Sequence, residues 1–267
     1  MNQLRRARLL YSAYLLQITK GMNALDKGLY KQKQKNNINK LRRDFPQAAI
    51  STACKLMPLE AIELFSKNSG RDILERHLQK LELDSQEQKL FIEFGALLGG
   101  SCQRWLSATE TFHILAIDHW PAEPSKVILG LLGDPKTKAS LSHISPKKVN
   151  KLLDDLEKYG FQQYLINCCF NPDRFTIIRA KLPDILFYLY DRMIYPSVMY
   201  FDADKDWNSI EIALNLFPCS TICGDDYLWQ SDCMENNIPA KLNEVSKNKA
   251  LNLEVSGNSW ILERKKT

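Results

Sequence analysis

The chain has 267 residues, 45% apolar and 25% charged, the make-up of an ordinary soluble protein with material for a sizeable core in one or two domains. It contains no run of 18 apolar residues, so a membrane-spanning helix is not expected. The net charge of +5 is unevenly spread: residues 1–43 hold 11 Lys/Arg against the single acid Asp26, and the rest of the chain is mildly acidic. A basic arm on an acidic body either forms a solvated helical face or meets an anionic partner such as nucleic acid, a lipid surface or an acidic polymer.

Residues 1–85 read as a basic helical N-terminal region. Arg5-Arg6-Ala7-Arg8 is followed by Leu9, Leu10, Leu15, Leu16 and Ile18 at amphipathic-helix spacing, interrupted by Ser12, Tyr14 and Gln17, with no small-x-small cleavage site. Lys31–Lys40 is rich in Gln, Asn and Lys and reads as a linker or loop. After Ser69-Gly70, the spacing of Ile73, Leu74, Leu78 and Leu81 predicts a helix over 71–83.

From residue 86 the texture becomes alternating strand and helix, the mark of an α/β sheet. Strands are expected at Leu90–Phe94, Phe112–Ile117, Phe175–Ile178, Val198–Phe201 and Thr221–Cys223. Helices are expected from Gly99 to Leu106, Lys147 to Asn167, Leu182 to Tyr190 and Trp207 to Leu216, and near Lys241–Lys247. Leu251–Val255 and Trp260–Glu263, joined by Ser256-Gly257-Asn258, read as two closing strands. The proline- and glycine-rich stretch 119–146 reads as a long loop of the lid type. The seven cysteines form no C-x-x-C pair and read as reduced thiols, which places the protein in a reducing compartment, the cytoplasm.

The acids fall at strand ends, where open α/β sheets bind their ligands. Glu93-x-Gly95 closes the first strand, and Gly99-Gly100-Ser101 opens the helix after it. Such glycines let the backbone turn tightly and approach a ligand. The G-x-G-x-x-G spacing of a dinucleotide site is absent, and a carboxylate at Glu93 disfavours phosphate but suits a cationic group or hydroxyl donors. Asp118 ends the second strand, where an acid can accept both hydroxyls of a ribose. Asp202 and the pair Asp225-Asp226 follow two later strands.

On these motifs the chain from about Leu90 to Glu263 resembles the class I S-adenosylmethionine-dependent methyltransferases. Glu93-Phe94-Gly95 is similar to their first motif, and Asp118 to their ribose acid. Asp202-Ala203-Asp204-Lys205-Asp206-Trp207 and Gly224-Asp225-Asp226-Tyr227 are similar to the D-A-x-H-x-Y and G-D-D-Y motifs of macrocin- and cephalosporin-tailoring O-methyltransferases. The resemblance implies a Rossmann-like seven-stranded sheet behind the helical N-terminal region, and methyl transfer to a small-molecule or sugar hydroxyl. It implies that S-adenosylmethionine is held by Glu93, Gly95, Gly99, Ser101, Asp118 and Asp202. It also leaves open a turnover-free binding module whose basic arm meets a polyanion.

Asp202, Asp225 and Asp226 converging at strand ends repel one another unless a cation neutralises them, so Mg²⁺ bound by these three is expected, orienting and acidifying the acceptor hydroxyl. Lys205 stands where the related motif has His. A lysine serves as a base only if its surroundings lower its pKa, so Lys205 or His119 is the expected proton acceptor. Trp120, Tyr227 and Trp229 either line the site or pack in the core, and His143 is tied to no motif.

Overall fold

The computed structural model of the protein describes residues 70–84, 89–96, 99–119, 174–203, 206–227 and 237–265, with isolated positions between 126 and 154. The basic arm, Lys31–Lys40, Trp120, His143, Lys205 and Trp229 lie outside the described residues. Seven strands are described: β1 (Lys89–Phe94), β2 (Phe112–Asp118), β3 (Phe175–Arg179), β4 (Val198–Phe201), β5 (Thr221–Gly224), β6 (Leu251–Ser256) and β7 (Ser259–Arg264). They form one sheet in the order β3-β2-β1-β4-β5-β7-β6. The first five are parallel, and β7 runs antiparallel to both β5 and β6. This is the Rossmann-like, seven-stranded α/β architecture expected.

Five described helices cover the sheet: α1 (Asp72–Leu83), α2 (Gly100–Ala108), α3 (Asp184–Asp191), α4 (Trp207–Leu216) and α5 (Ile238–Asn248). The strand period of two divides each parallel strand between the two faces. Leu90, Ile92, Phe94, Met199, Phe201 and Ile222 form one core with apolar residues of α3, α4 and α5. Phe91, Ile114, Ala116, Val198, Tyr200 and Cys223 form the other, with Ile73, Leu74 and Leu78 of α1 and Cys102, Trp105 and Leu106 of α2. Helix α1, counted by composition with the N-terminal region, is thus a layer of the sheet domain.

Helix starts follow local chemistry. Asp206 caps α4 by accepting from the backbone of Asn208 and Ser209, and Asn237 caps α5 by accepting from Ala240. Within the expected loop 119–146, Lys126 and Leu129 are helical. Proline and glycine punctuate such a stretch without forbidding helix, since proline is tolerated in a first turn. Among the described residues no helix is long and apolar enough to cross a membrane.

Candidate active site

The strand order reverses direction between β1 and β4, and a crevice at the carboxyl ends of such strands is where open α/β sheets take ligands. Glu93, Asp118, Asp202 and Asp225 all stand at that edge. Ladder hydrogen bonds run past the strands' ends: Gly95 N donates to Ile117 O at 2.9 Å, Asp202 N to Phe94 O at 2.9 Å and Asp225 N to Phe201 O at 3.2 Å. Gly95 has φ +90°, and a Cβ there would overlap the Asp202 carbonyl. Only glycine lets the turn after β1 lie this close to the end of β4.

Glu93 shares a sheet face with Phe91 and Tyr200, so its carboxyl points toward α1 and α2 rather than into water. It is fully buried. Ser101 Oγ, from the first turn of α2, donates to Oε1, while Oε2 has no hydrogen-bond partner among the described residues. Burial pushes the Glu93 carboxyl up to about 7; Ser101 and Arg71 pull it down and Asp118 adds to the rise. Gly99, at φ +76°, precedes α2 as its N-cap and donates to Ala96 O.

Asp118 is buried at the end of β2. His119 beside it is half exposed, with Nδ1 3.5 Å from Asp118 Oδ1. As neighbouring strands lie about 4.8 Å apart, β2 is roughly 10 Å from β4 across β1. The structure therefore groups His119 with the proposed ribose acid and away from the acids after β4 and β5.

Those acids meet a residue that motif reading overlooks. Arg71, at the N-cap of α1, reaches across the edge with 7% of its side chain exposed. Its Nε donates to Asp225 Oδ2 at 2.7 Å and its Nη2 to Asp202 Oδ2 at 2.7 Å, with Nη2 also 2.6 Å from Asp225 Oδ2. The guanidinium carbon lies 5.9 Å from the centre of the Tyr200 ring. Ser259 Oγ donates to Asp225 Oδ1 at 2.5 Å, Trp260 Nε1 to Asp225 O at 3.0 Å, and Tyr200 OH to Asp202 Oδ2 at 3.4 Å. A signal for Arg71 existed: a cation at a helix N-terminus opposes the helix dipole, so it needs a partner elsewhere. Nothing local hints at Ser259 or Trp260, which arrive from the far end of the chain.

Asp226 departs from its neighbour. It adopts a left-handed φ of +63°, a conformation aspartate tolerates, and Asn258 Nδ2 approaches its Oδ1 at 3.4 Å. Asp202 is the most accessible of the bridged acids, its side chain 23% exposed. Burial pushes its carboxyl well above the usual range; Arg71 pulls it down, while Asp225, Asp226 and Glu93 add to the rise.

The expected magnesium trio does not fit this arrangement. Both oxygens of Asp225 and Oδ2 of Asp202 are already bonded to protein donors, and the cation between them is a guanidinium. Among the described residues no group of three or more His, Cys, Asp or Glu side chains could hold a metal ion. The site does fit a cationic ligand on the Glu93 side. The Arg71 guanidinium pairs with Asp202 and Asp225 and acts on Glu93 from a distance, Asp226 turns to Asn258, and Glu93 keeps one buried oxygen with no hydrogen-bond partner among the described residues.

No protein-family profile matches the chain, and no curated protein is similar to it. Solved structures with a similar course of the chain include an O-methyltransferase from Bacillus cereus in complex with SAH, at 14% identity and TM-score 0.42, covering 84% of this chain and 95% of that one. The precorrin-6y C5,15-methyltransferase from Geobacter metallireducens is 12% identical, with TM-score 0.42 and coverage of 78% and 94%. Human methyltransferase-like protein 13 in complex with SAH is 10% identical, with TM-score 0.42 and coverage of 75% and 83%. At these identities the likeness concerns the fold alone.

Proposed function

We propose that this protein is an S-adenosylmethionine-dependent methyltransferase acting on a hydroxyl of a small molecule or sugar. The observation that carries the reading is the buried Glu93 carboxyl, its Oε2 without a hydrogen-bond partner among the described residues, beside the left-handed Gly95 turn and one strand from Asp118. When bound, S-adenosylmethionine supplies a methyl group on a cationic sulfur, and the acids gathered at the strand ends suit that charge. Asp118 accepts the ribose hydroxyls. Glu93 adds a buried acid beneath the cofactor turn and, through Ser101, ties that turn to α2. Gly95 and Gly99 keep the backbone close to the ligand.

In this reading Asp202, partly exposed at the end of β4, accepts a hydrogen bond from the acceptor hydroxyl, and Lys205, three residues on in the sequence, takes the proton. Magnesium does not fit this chemistry, because Arg71 and Ser259 hold both oxygens of Asp225 and Arg71 holds one of Asp202. We assign to the basic residues 1–43 an anionic partner. Their removal is expected to abolish salt-sensitive retention on heparin.

Calorimetry of the full chain with S-adenosylmethionine and S-adenosylhomocysteine tests the central reading. Saturable one-to-one binding of both is expected. Absence of binding by either, in a folded protein, overturns it.

A further inference from the structure

We infer that the guanidinium of Arg71 is the resident cation of the cleft between Asp202 and Asp225 and takes the place of a divalent metal there. Two carboxylates at adjacent strand ends repel each other and require a positive partner. Arg71 provides it with short contacts to both, at 2.7 Å each. A planar guanidinium bridging two acids satisfies several acceptor sites at once, a geometry that an ammonium lacks.

Three features hold the side chain in place. Its head is buried against the Tyr200 ring. Asp225 is fixed from behind by Ser259 Oγ, and its backbone carbonyl by Trp260 Nε1. The backbone just before Arg71 is pinned at Gly70, whose φ is +86° and where a Cβ would overlap the Ser256 carbonyl. Magnesium demands near-octahedral oxygen ligands and sheds its waters reluctantly. To enter, it would have to displace a guanidinium bonded to the same oxygens and leave that charge buried without a partner, which is costly.

The consequence concerns the acceptor. With no metal to gather a diol or catechol, the site selects its acceptor by hydrogen bonds and shape, so a lone hydroxyl serves as well as a vicinal pair. This last step rests on the methyltransferase reading; the metal replacement does not.

The test therefore reads metal binding with no cofactor present. Full-length protein is titrated with Mn²⁺ and free ion is followed by electron paramagnetic resonance, for wild type, Arg71→Met and Arg71→Met combined with Asp202→Asn. Wild type is expected to show no saturable site at millimolar Mn²⁺. Arg71→Met should bind one ion at least about tenfold more tightly, and the double variant should lose that gain. One-to-one Mn²⁺ binding by wild type at micromolar concentration, lost in Asp225→Asn, overturns the inference. So does a folded Arg71→Met that gains no affinity. The wild-type titration decides the matter alone should Arg71→Met fail to fold.

Discussion

Arg71 and Asp225 stand 154 residues apart in the chain and are joined by a 2.7 Å hydrogen bond within a buried ion pair. The bond ties the first described helix to the end of β5, and through Asp202 to the end of β4. Removing one partner of a buried pair leaves an uncompensated charge, typically a loss of about 3–5 kcal/mol. Urea unfolding of Arg71→Ala should show a loss of about that size. Arg71→Lys, which keeps the charge but not the fork, should lose less.

Asp118→Ala is expected to weaken S-adenosylmethionine binding by about 1.5–3 kcal/mol, the worth of hydrogen bonds to a charged acceptor, while the protein stays folded. Calorimetry with the variant checks this, and unchanged affinity would remove Asp118 from the cofactor site.

Glu93 makes stability depend on pH. Its folded-state pKa of about 7 lies above the ordinary value of 4.5. Between those values the native state holds a proton that the unfolded chain has released. Its contribution is therefore fully present below about pH 4.5 and is lost as pH rises through about 7. The slope is at most about 1.4 kcal/mol per pH unit for one such group. In paired denaturation series, wild type should lose stability relative to Glu93→Gln across that window. Parallel curves would show that Glu93 is not raised.

Gly95→Ala should be more damaging than an ordinary glycine replacement. The new Cβ would meet the Asp202 carbonyl and the residue would sit at φ +90°, a conformation costing about 1–3 kcal/mol outside glycine. A lowered melting temperature with weakened cofactor binding is expected, and a melting curve matching wild type would contradict it.

What could be read from the chain was what is written locally. Val198–Phe201 and Trp207–Leu216 are found at the bounds their apolar pattern predicts, because a strand pointing into two cores and a helix capped by Asp206 carry their own punctuation. The position of Glu93, Asp118, Asp202 and Asp225 on one edge was legible for the same reason, since each acid lies within one residue of a strand's carboxyl end. The charge balance between them was not. Three acids without a visible cation suggested a metal, whereas the cation is an arginine brought in by a distant helix. Asp226 looked like a twin of Asp225 until its left-handed backbone turned it toward Asn258.

The close approach of Gly70 to Ser256 joins the two ends of the described chain in one place. Helix α1 and the β6–β7 hairpin are therefore expected to open together, as a single cooperative unit in hydrogen exchange. Amides in Ile73–Leu78 and Trp260–Leu262 would then share one opening free energy. Clipping the chain at Gly257 would be felt at Asp225, because Ser259 and Trp260 are the hands that hold it.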